Sequence, residues 1–384
     1  MPGSVCIVEA SEADTRHAIQ TIVEALAGLE LALVMVFVGE PHDPRSVAAM
    51  LSASLPDVRT VGCSTGGEIG PGGWLEGSLV AVAFGGPARA SVSWFEDLSA
   101  VALEGRSPRI VDDVAAGLGL SRTELDPKRH VFITLVDGMR SAGELFIAGL
   151  TDVAPGIPLV GGSAGSRAHQ TDTTWTFADG VAEIGSGVLV LLEPGVPFET
   201  FATHSFEPGR DRLVVTRARP DLHLLDELNG HSAVDEYARV VGVDPAAVRD
   251  GRVVPSEVGI HLGFLVDGEL FLRGLIEVRG DGFLLGGAVE EGMVLRTACP
   301  RSDVVETTRA ALNAVFGRTG APEGVLFFEC IGRKLGARAT GATEGLVDLM
   351  DGVPVAGFHT FGEQFNALQV NLTLTGLALG RSDD

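Results

Sequence analysis

The sequence predicts an α/β protein: three related α-β-α-β-β units build mixed sheets, and an antiparallel β-rich insertion lies in the C-terminal half. Three observations predict it. Apolar runs such as "LALVMVFV" at 31–38 are too short to cross a bilayer, which takes about 20 residues, and read as strands covered on both faces. Stretches with helical spacing separate those runs. A polar, glycine-rich turn recurs three times after such a run: "VGCSTGGEIG" at 61–70, "LVGGSAGS" at 159–166 and "VAGFHTFGEQF" at 355–365.

The elements repeat in order. Each unit opens with a helix: "SEADTRHAIQTIVEALAG", with a capping-box-like start at Ser11 and one apolar face of Ile19, Ile22, Val23 and Leu26; then "SPRIVDDVAAGLGL"; then "SDVVETTRAALNAVFG". A strand follows ("LALVMVFVGE", "HVFITLVDGMR", "GVLFFECIGRK"), then a second helix ("DPRSVAAMLSASLPD", "SAGELFIAGLTDVAP", "ATEGLVDLMDG"). Asp43-Pro44 and Ser141 to Glu144 give N-terminal signals. The glycine ending the strand precedes the motif glycine by 23, 23 and 25 residues: Gly39 to Gly62, Gly138 to Gly161, Gly332 to Gly357. A further strand closes each unit: "GSLVAVAFGG", "GSGVLVLLEPG" and "NLTLTGLALG". Between the second and third copies, "FETFATHSFEP", "DRLVVTRARP", "GIHLGFLVDGELFLRGLIEVRG" and "GFLLGGAVEEGMVLRTA" read as strands joined by tight turns, with one helix at "SAVDEYARVVGV". The division expected is residues 1–196 with two repeats, and 197–384 with the insertion at about 197–300 and the third repeat.

The chain has 384 residues and a net charge of −23. The acidic residues are dispersed, which disfavours nucleic acid as a partner. Mean hydropathy is +0.28, but no run has membrane-spanning length and no signal-peptide pattern opens the sequence. The cysteines at 6, 63, 299 and 330 lie far apart, so reduced thiols in a cytoplasmic protein without a membrane partner are expected. No HxH, HExxH or CxxCH pattern supports a metal or covalent haem, and no GxxxxGK[ST] or strand-helix GxGxxG supports a nucleotide.

Ligands of open α/β sheets collect beyond the C-terminal strand ends. The three turns are therefore expected to face a shared cleft. The candidate binding residues are Gly62, Cys63, Ser64, Thr65, Gly66 and Glu68 in the first turn, and Gly162, Ser163, Ala164 and Gly165 in the second. Arg333, His359, Thr360, Gly362 and Glu363 come from the third unit. Hydroxyls and free backbone N–H groups suit carboxylates or other oxygens. Arg333 at a strand exit could clamp a carboxylate or pair with a glutamate. Glu68 and Glu363 share one Gly-Glu spacing, and either bind an ammonium group or hold their turns. Cys63 reads as a small buried residue packing its turn, with a reactive thiol as the alternative. No catalytic residue is assigned.

"VGCSTGGEI" followed about 100 residues later by "VGGSAGS" resembles the N-terminal part of the FIST family. "LDELNGHSAVDEY", "FFECIGRKLG", "GFHTFGEQF" and "VNLTLT" resemble its C-terminal part, in the same order, so the likeness runs from about 30 to 375. It implies a bacterial sensory module for a small ligand such as an amino acid or related metabolite, acting on a histidine kinase, a cyclic-dinucleotide enzyme or a chemotaxis receptor. No kinase or cyclase segment accompanies it, so a separate partner is expected. His359 stands where the family usually has an aromatic such as Tyr. Two alternatives stay open: a haem-based nitric oxide sensor, since some members bind haem, and a thiol enzyme using Cys63. A homodimer is also open.

Overall fold

The computed structural model describes residues 4–139, 142–166, 173–301 and 303–381. Three six-stranded sheets are built to one plan. In each, two central strands run parallel: Leu31–Val38 beside Arg59–Ser64, Val131–Val136 beside Leu159–Ser163, and Pro322–Cys330 beside Val355–Thr360. An antiparallel strand lies along the first of each pair: Leu79–Gly85, Gly187–Glu193 and Leu374–Gly380. Outside it comes a lead-in strand: Val5–Ala10, Arg89–Phe95 and Phe198–Thr203.

The fourth side of each sheet is supplied by another unit. The hairpin Glu68–Gly70/Gly73–Leu75 of the first unit pairs with Val355–Thr360 of the third. Trp175–Ala178/Val181–Ile184 of the second pairs with Arg59–Ser64 of the first. Glu363–Phe365/Leu368–Val370 of the third pairs with Leu159–Ser163 of the second. The exchange is cyclic. The unit is thus larger than α-β-α-β-β: it gains a lead-in strand and a hairpin that docks elsewhere. These pieces are short or half-exposed, and carry a weaker periodic signal than the central runs.

The inner faces of the three sheets share one apolar cluster that includes Phe37, Phe84, Val190, Phe328 and Phe358. Separate clusters seal each sheet's outer face with its own helices. In the first unit Ala18, Ile19, Ile22 and Leu26 of helix Thr15–Leu26 point inward. Its N-cap is Asp14, which accepts from the His17 N–H at 3.0 Å, rather than Ser11. Asp43 caps Pro44–Ser54 as its Asp-Pro signature predicts. The cap expected at Ser141 lies outside the described residues; helix Ala142–Val153 follows. In the third unit the helix starts directly at the strand end, as Ile331–Thr340, before the short helix Thr343–Asp348. Gly332 and Arg333 therefore sit in a first helical turn, not at a strand exit.

The motif glycines are register equivalents: Gly62, Gly161 and Gly357 stand opposite Val36, Thr134 and Phe327. At each, a Cβ would run into the carbonyl oxygen of that partner residue. The repeat is thus marked by close backbone approach across the parallel pair. The strand-ending glycines are not equivalent. The register sets Gly39 level with Asp137 and Cys330, so the near-constant spacing to Gly138 and Gly332 is coincidental.

The insertion begins after Thr203, because Phe198–Thr203 belongs to the third sheet. It runs from Phe206 to Pro300 as a nine-stranded antiparallel sheet around a core that includes Tyr237, Phe283 and Leu295. Asn229 and Gly230, at φ 52° and 77°, form the left-handed turn between strands Leu224–Leu228 and His231–Ser232. The insertion docks through buried Arg273, whose guanidinium donates to the Gln369 carbonyl at 2.9 Å and faces Glu144 at 3.6 Å. Among the described residues no helix is long and apolar enough to cross a membrane.

Candidate functional site

The three turns meet at the strand ends, and they meet by bonding to one another. Gly66 N–H donates to the His359 carbonyl (2.9 Å), Gly165 N–H to that of Ser64 (3.0 Å), and Phe361 N–H to that of Ser163 (3.1 Å). Ser64, Ser163 and His359 are register equivalents, so this is one bond repeated around a pseudo-threefold arrangement. A second set links Ser163 N–H to Gly362 O (2.7 Å) and His359 N–H to Gly67 O (2.8 Å). Ala164 N–H is taken by Val136 O at 2.8 Å. These backbone donors are therefore already used by neighbouring turns, so the three turns form a bonded junction in place of the open cleft expected to be shared among them.

The hydroxyls are engaged as well. Ser64 Oγ accepts from the Trp175 N–H at 3.0 Å and Ser163 Oγ from Gln364 Nε2 at 2.9 Å, so both tie down incoming hairpins. Thr65 bonds Glu68, and Thr360 bonds Glu363 in the same way. Glu68 also accepts from Ser78 N–H and Oγ at 3.0 and 2.9 Å, and Glu363 from Thr373 N–H at 3.3 Å. Both carboxyls are fully buried, and burial raises their pKa. They hold the turns and leave no oxygen facing solvent. Gly162 packs against Thr360, Phe358 and Phe328, where a side chain would not fit.

Cys63 lies in the interior cluster with no exposed surface, and burial raises its thiol pKa well above normal. A reactive thiol needs access and a lowered pKa, so the thiol-enzyme alternative loses its basis. Cys330 is also buried, and its pKa is raised for the same reason.

The third unit breaks the symmetry. Where the first two carry Val38 beside Ser64 and Val136 beside Ser163, the third carries Glu329 beside His359. Glu329 Oε2 lies 3.5 Å from His359 Nδ1. Arg333 Nη1 bonds Glu329 Oε1 at 2.8 Å, and its other nitrogen bonds Thr308. Arg333 thus pairs with a glutamate, but with Glu329 rather than with a turn carboxylate. Trp74, delivered by the exchanged hairpin, stands edge-on to the His359 ring at 4.9 Å. Its indole N–H approaches the Glu329 carboxyl without completing a hydrogen bond.

Five buried polar atoms here have no hydrogen-bond partner among the described residues: His359 Nδ1 and Nε2, Glu329 Oε2, Arg333 Nε and Trp74 Nε1. Buried polar groups are normally paired, so their concentration in one place marks a site. Burial raises the Glu329 pKa, and burial together with Lys334, Arg338 and Arg333 pushes that of His359 well below its ordinary value.

Lys334 covers it. Its side chain is 3 % exposed and its ammonium donates to Gly66 O at 3.2 Å and pairs with Glu76 at 3.3 Å. Arg338 also binds Glu76. Glu40, Thr65, Gly66, Gly67, Glu68, Glu76 and Gly77 line a narrow cleft, and the Lys334 ammonium lies against three of them, Gly66, Gly67 and Glu76. The wider depression around Asn229, His231 and Glu236 on the insertion is remote, and its polar groups already pair, Glu236 with Asn229 and Arg239 at 2.8 Å. His359 has no exposed surface, with Trp74 against its ring and Lys334 beside it. That enclosure does not fit a haem. Among the described residues no cluster of His, Cys, Asp and Glu is arranged for a metal.

Glu329, Trp74, Lys334 and Glu76 were not singled out from the sequence. Two signals stood there. Glu329 interrupts the apolar run "VLFFEC", and Lys334 is one of only two lysines against 26 arginines.

The chain matches the FIST N domain over residues 32–231 and the FIST C domain over 233–366. The uncharacterized protein Rv0628c of Mycobacterium tuberculosis is 27% identical over 367 residues, covering 88% of each chain. The uncharacterized protein Mb0898c of Mycobacterium bovis is 27% identical over 250 residues, 61% of this chain and 62% of that one. Cyanuric acid hydrolase from A. caulinodans aligns over 98% of this chain and 99% of its own, at 11% identity and a TM-score of 0.39, too low to bear on activity. The chain belongs to the FIST family, whose domains are associated with sensory signalling and small-ligand binding.

Proposed function

We propose that the protein is a sensory module that binds a small molecule at the junction of its first and third units and signals to a separate protein. The observation that carries this reading is the set of five unpartnered polar atoms around His359. Each unsatisfied buried group costs about 1–3 kcal/mol. A ligand that brings acceptors to the His359, Trp74 and Arg333 N–H groups, and a donor to Glu329, recovers that cost. An amino acid or related metabolite carries both kinds of group. Trp74 rides on the exchanged hairpin, while His359 and Glu329 belong to the third unit. Binding would fix the hairpin against the third sheet, and so bias which arrangement of the two units a partner meets. A histidine kinase, a cyclic-dinucleotide enzyme or a chemotaxis receptor is the class of partner proposed.

Titration calorimetry with an amino-acid and metabolite panel tests the site. His359→Phe keeps the ring and removes both nitrogens, and Trp74→Phe removes the indole N–H. A ligand found with the wild-type protein should bind each variant about tenfold or more weakly, the equivalent of one lost hydrogen bond. Wild-type affinity in both variants would remove the ligand from this junction.

A further inference from the structure

The chain contains two lysines, Lys128 and Lys334, among 28 basic residues. Lys128 is exposed, whereas Lys334 is buried under the turn of the first unit. Arginine serves nearly everywhere else a cation is needed, including Arg333 and Arg338 on the same helix. Arginine stays charged in proteins, while a buried lysine can give up its proton. The exception therefore falls at a buried position whose ammonium lies against the lining of a narrow cleft.

Three surroundings match what an amine nucleophile requires. Its ammonium is withdrawn from water, held by the Gly66 carbonyl and Glu76 alone among the described contacts. A second cation, Arg338, shares Glu76 with it, and such neighbours favour a neutral amine. A carboxylate, Glu76, lies 3.3 Å away and can take the proton and return it. The approach is lined by Gly66, Gly67 and Gly77, and a side chain at Gly67 would run into the lysine nitrogen.

We propose that Lys334 is a covalent anchor for small carbonyl compounds, a short aldehyde or 2-oxo acid, which it captures as an imine. The inference rests on the reading of this junction as the ligand site, and deepens it by naming a ligand class. The ammonium passes a proton to Glu76. The neutral nitrogen then attacks the carbonyl carbon; the C–N bond forms as the carbonyl π bond breaks, and the proton shed by the nitrogen passes to the oxygen, which becomes a hydroxyl. Glu76 returns its proton to that hydroxyl, water departs and the C=N bond closes. Nothing is oxidised or reduced. Formation of the imine alters the Lys334–Glu76 contact that covers His359. Burial pulls the Lys334 pKa down, with Arg338 acting in the same direction and Glu76 and Glu68 opposing. Glu329 and His359 are the other titratable groups facing it.

The test treats the full-length protein with glyoxylate and sodium cyanoborohydride, which reduces an imine to a stable secondary amine, and maps the label by peptide mass spectrometry. Lys334 should be modified well before Lys128 near neutral pH, since a buried amine beside a second cation is the better nucleophile. Glu76→Gln should slow labelling of Lys334 and leave Lys128 unchanged. Lys334→Arg keeps a cation beside Glu76 and should remove the fast label from a protein that still folds by circular dichroism. Labelling of Lys128 at the same rate as Lys334, or of Lys128 alone, would overturn the proposal. If glyoxylate then still raised the melting temperature of wild-type protein but not of His359→Phe, only covalent capture would have failed. Absence of both label and shift would count against the capture and against glyoxylate-like ligands at the junction together.

Discussion

Gly62, Gly161 and Gly357 do the same task three times. Each lets a strand lie so close to its parallel neighbour that a Cβ would strike the neighbour's carbonyl oxygen. Adding one methyl group therefore forces the strands apart. Gly161→Ala should lower stability by about 1–3 kcal/mol or more, as overpacking does. Urea unfolding checks this, and an unchanged midpoint would contradict the register. These glycines were legible in the sequence because their neighbours repeat. The chemistry beside them was not. Glu329 and His359 become meaningful only once the register shows that Val38, Val136 and Glu329 occupy one position, and Ser64, Ser163 and His359 another. Trp74 and Glu76 sit in a hairpin that joins the site through another unit's sheet, a contact no local pattern encodes.

At the scale of elements, the helices and central strands could be read from periodicity, since their burial is nearly complete and their caps are local. The exchanged hairpins could not, because strands of three or four residues have no period to detect. The insertion was legible as antiparallel strands, although its first boundary was not, as Phe198–Thr203 pairs with a strand about 180 residues later in sequence. The insertion also makes the protein sensitive to acid. Burial lowers the pKa of His261 to about 4, and burial with the nearby Arg273 does the same for His223. Both groups bind protons more readily when unfolded, near pH 6.5. Their contribution is thus complete above that value and lost as pH falls from about 6.5 to 4. Tryptophan-independent probes such as the fluorescence of Tyr237, buried in the insertion core, should report loosening in that window before the α/β core melts. In His261→Phe the pH slope should be shallower, and a slope identical to wild type would assign the effect elsewhere.

For the whole molecule, the ordering of the chain and the ordering of space differ. Each sheet takes its last two strands from a different unit, and the backbone bonds at the junction follow the same circuit. Ligand and partner effects should accordingly be read on the full chain. Residues 89–193 expressed alone retain four of the six strands and the helices of the second sheet, but lack the hairpin of Glu363–Phe365 and Leu368–Val370 and leave their own hairpin without the sheet it docks on. That fragment should be aggregated or unfolded by size exclusion and circular dichroism; a monomeric, cooperatively melting fragment would show the exchange to be dispensable.

The circuit of borrowed hairpins has a mechanical consequence. Each unit clasps the next, and the last clasps the first, as links in a closed ring. A protease cut between units would sever the covalent thread without freeing any link. The nicked protein should migrate intact on a native gel and come apart only in denaturant, so its integrity would rest on the ring and not on the continuity of the chain.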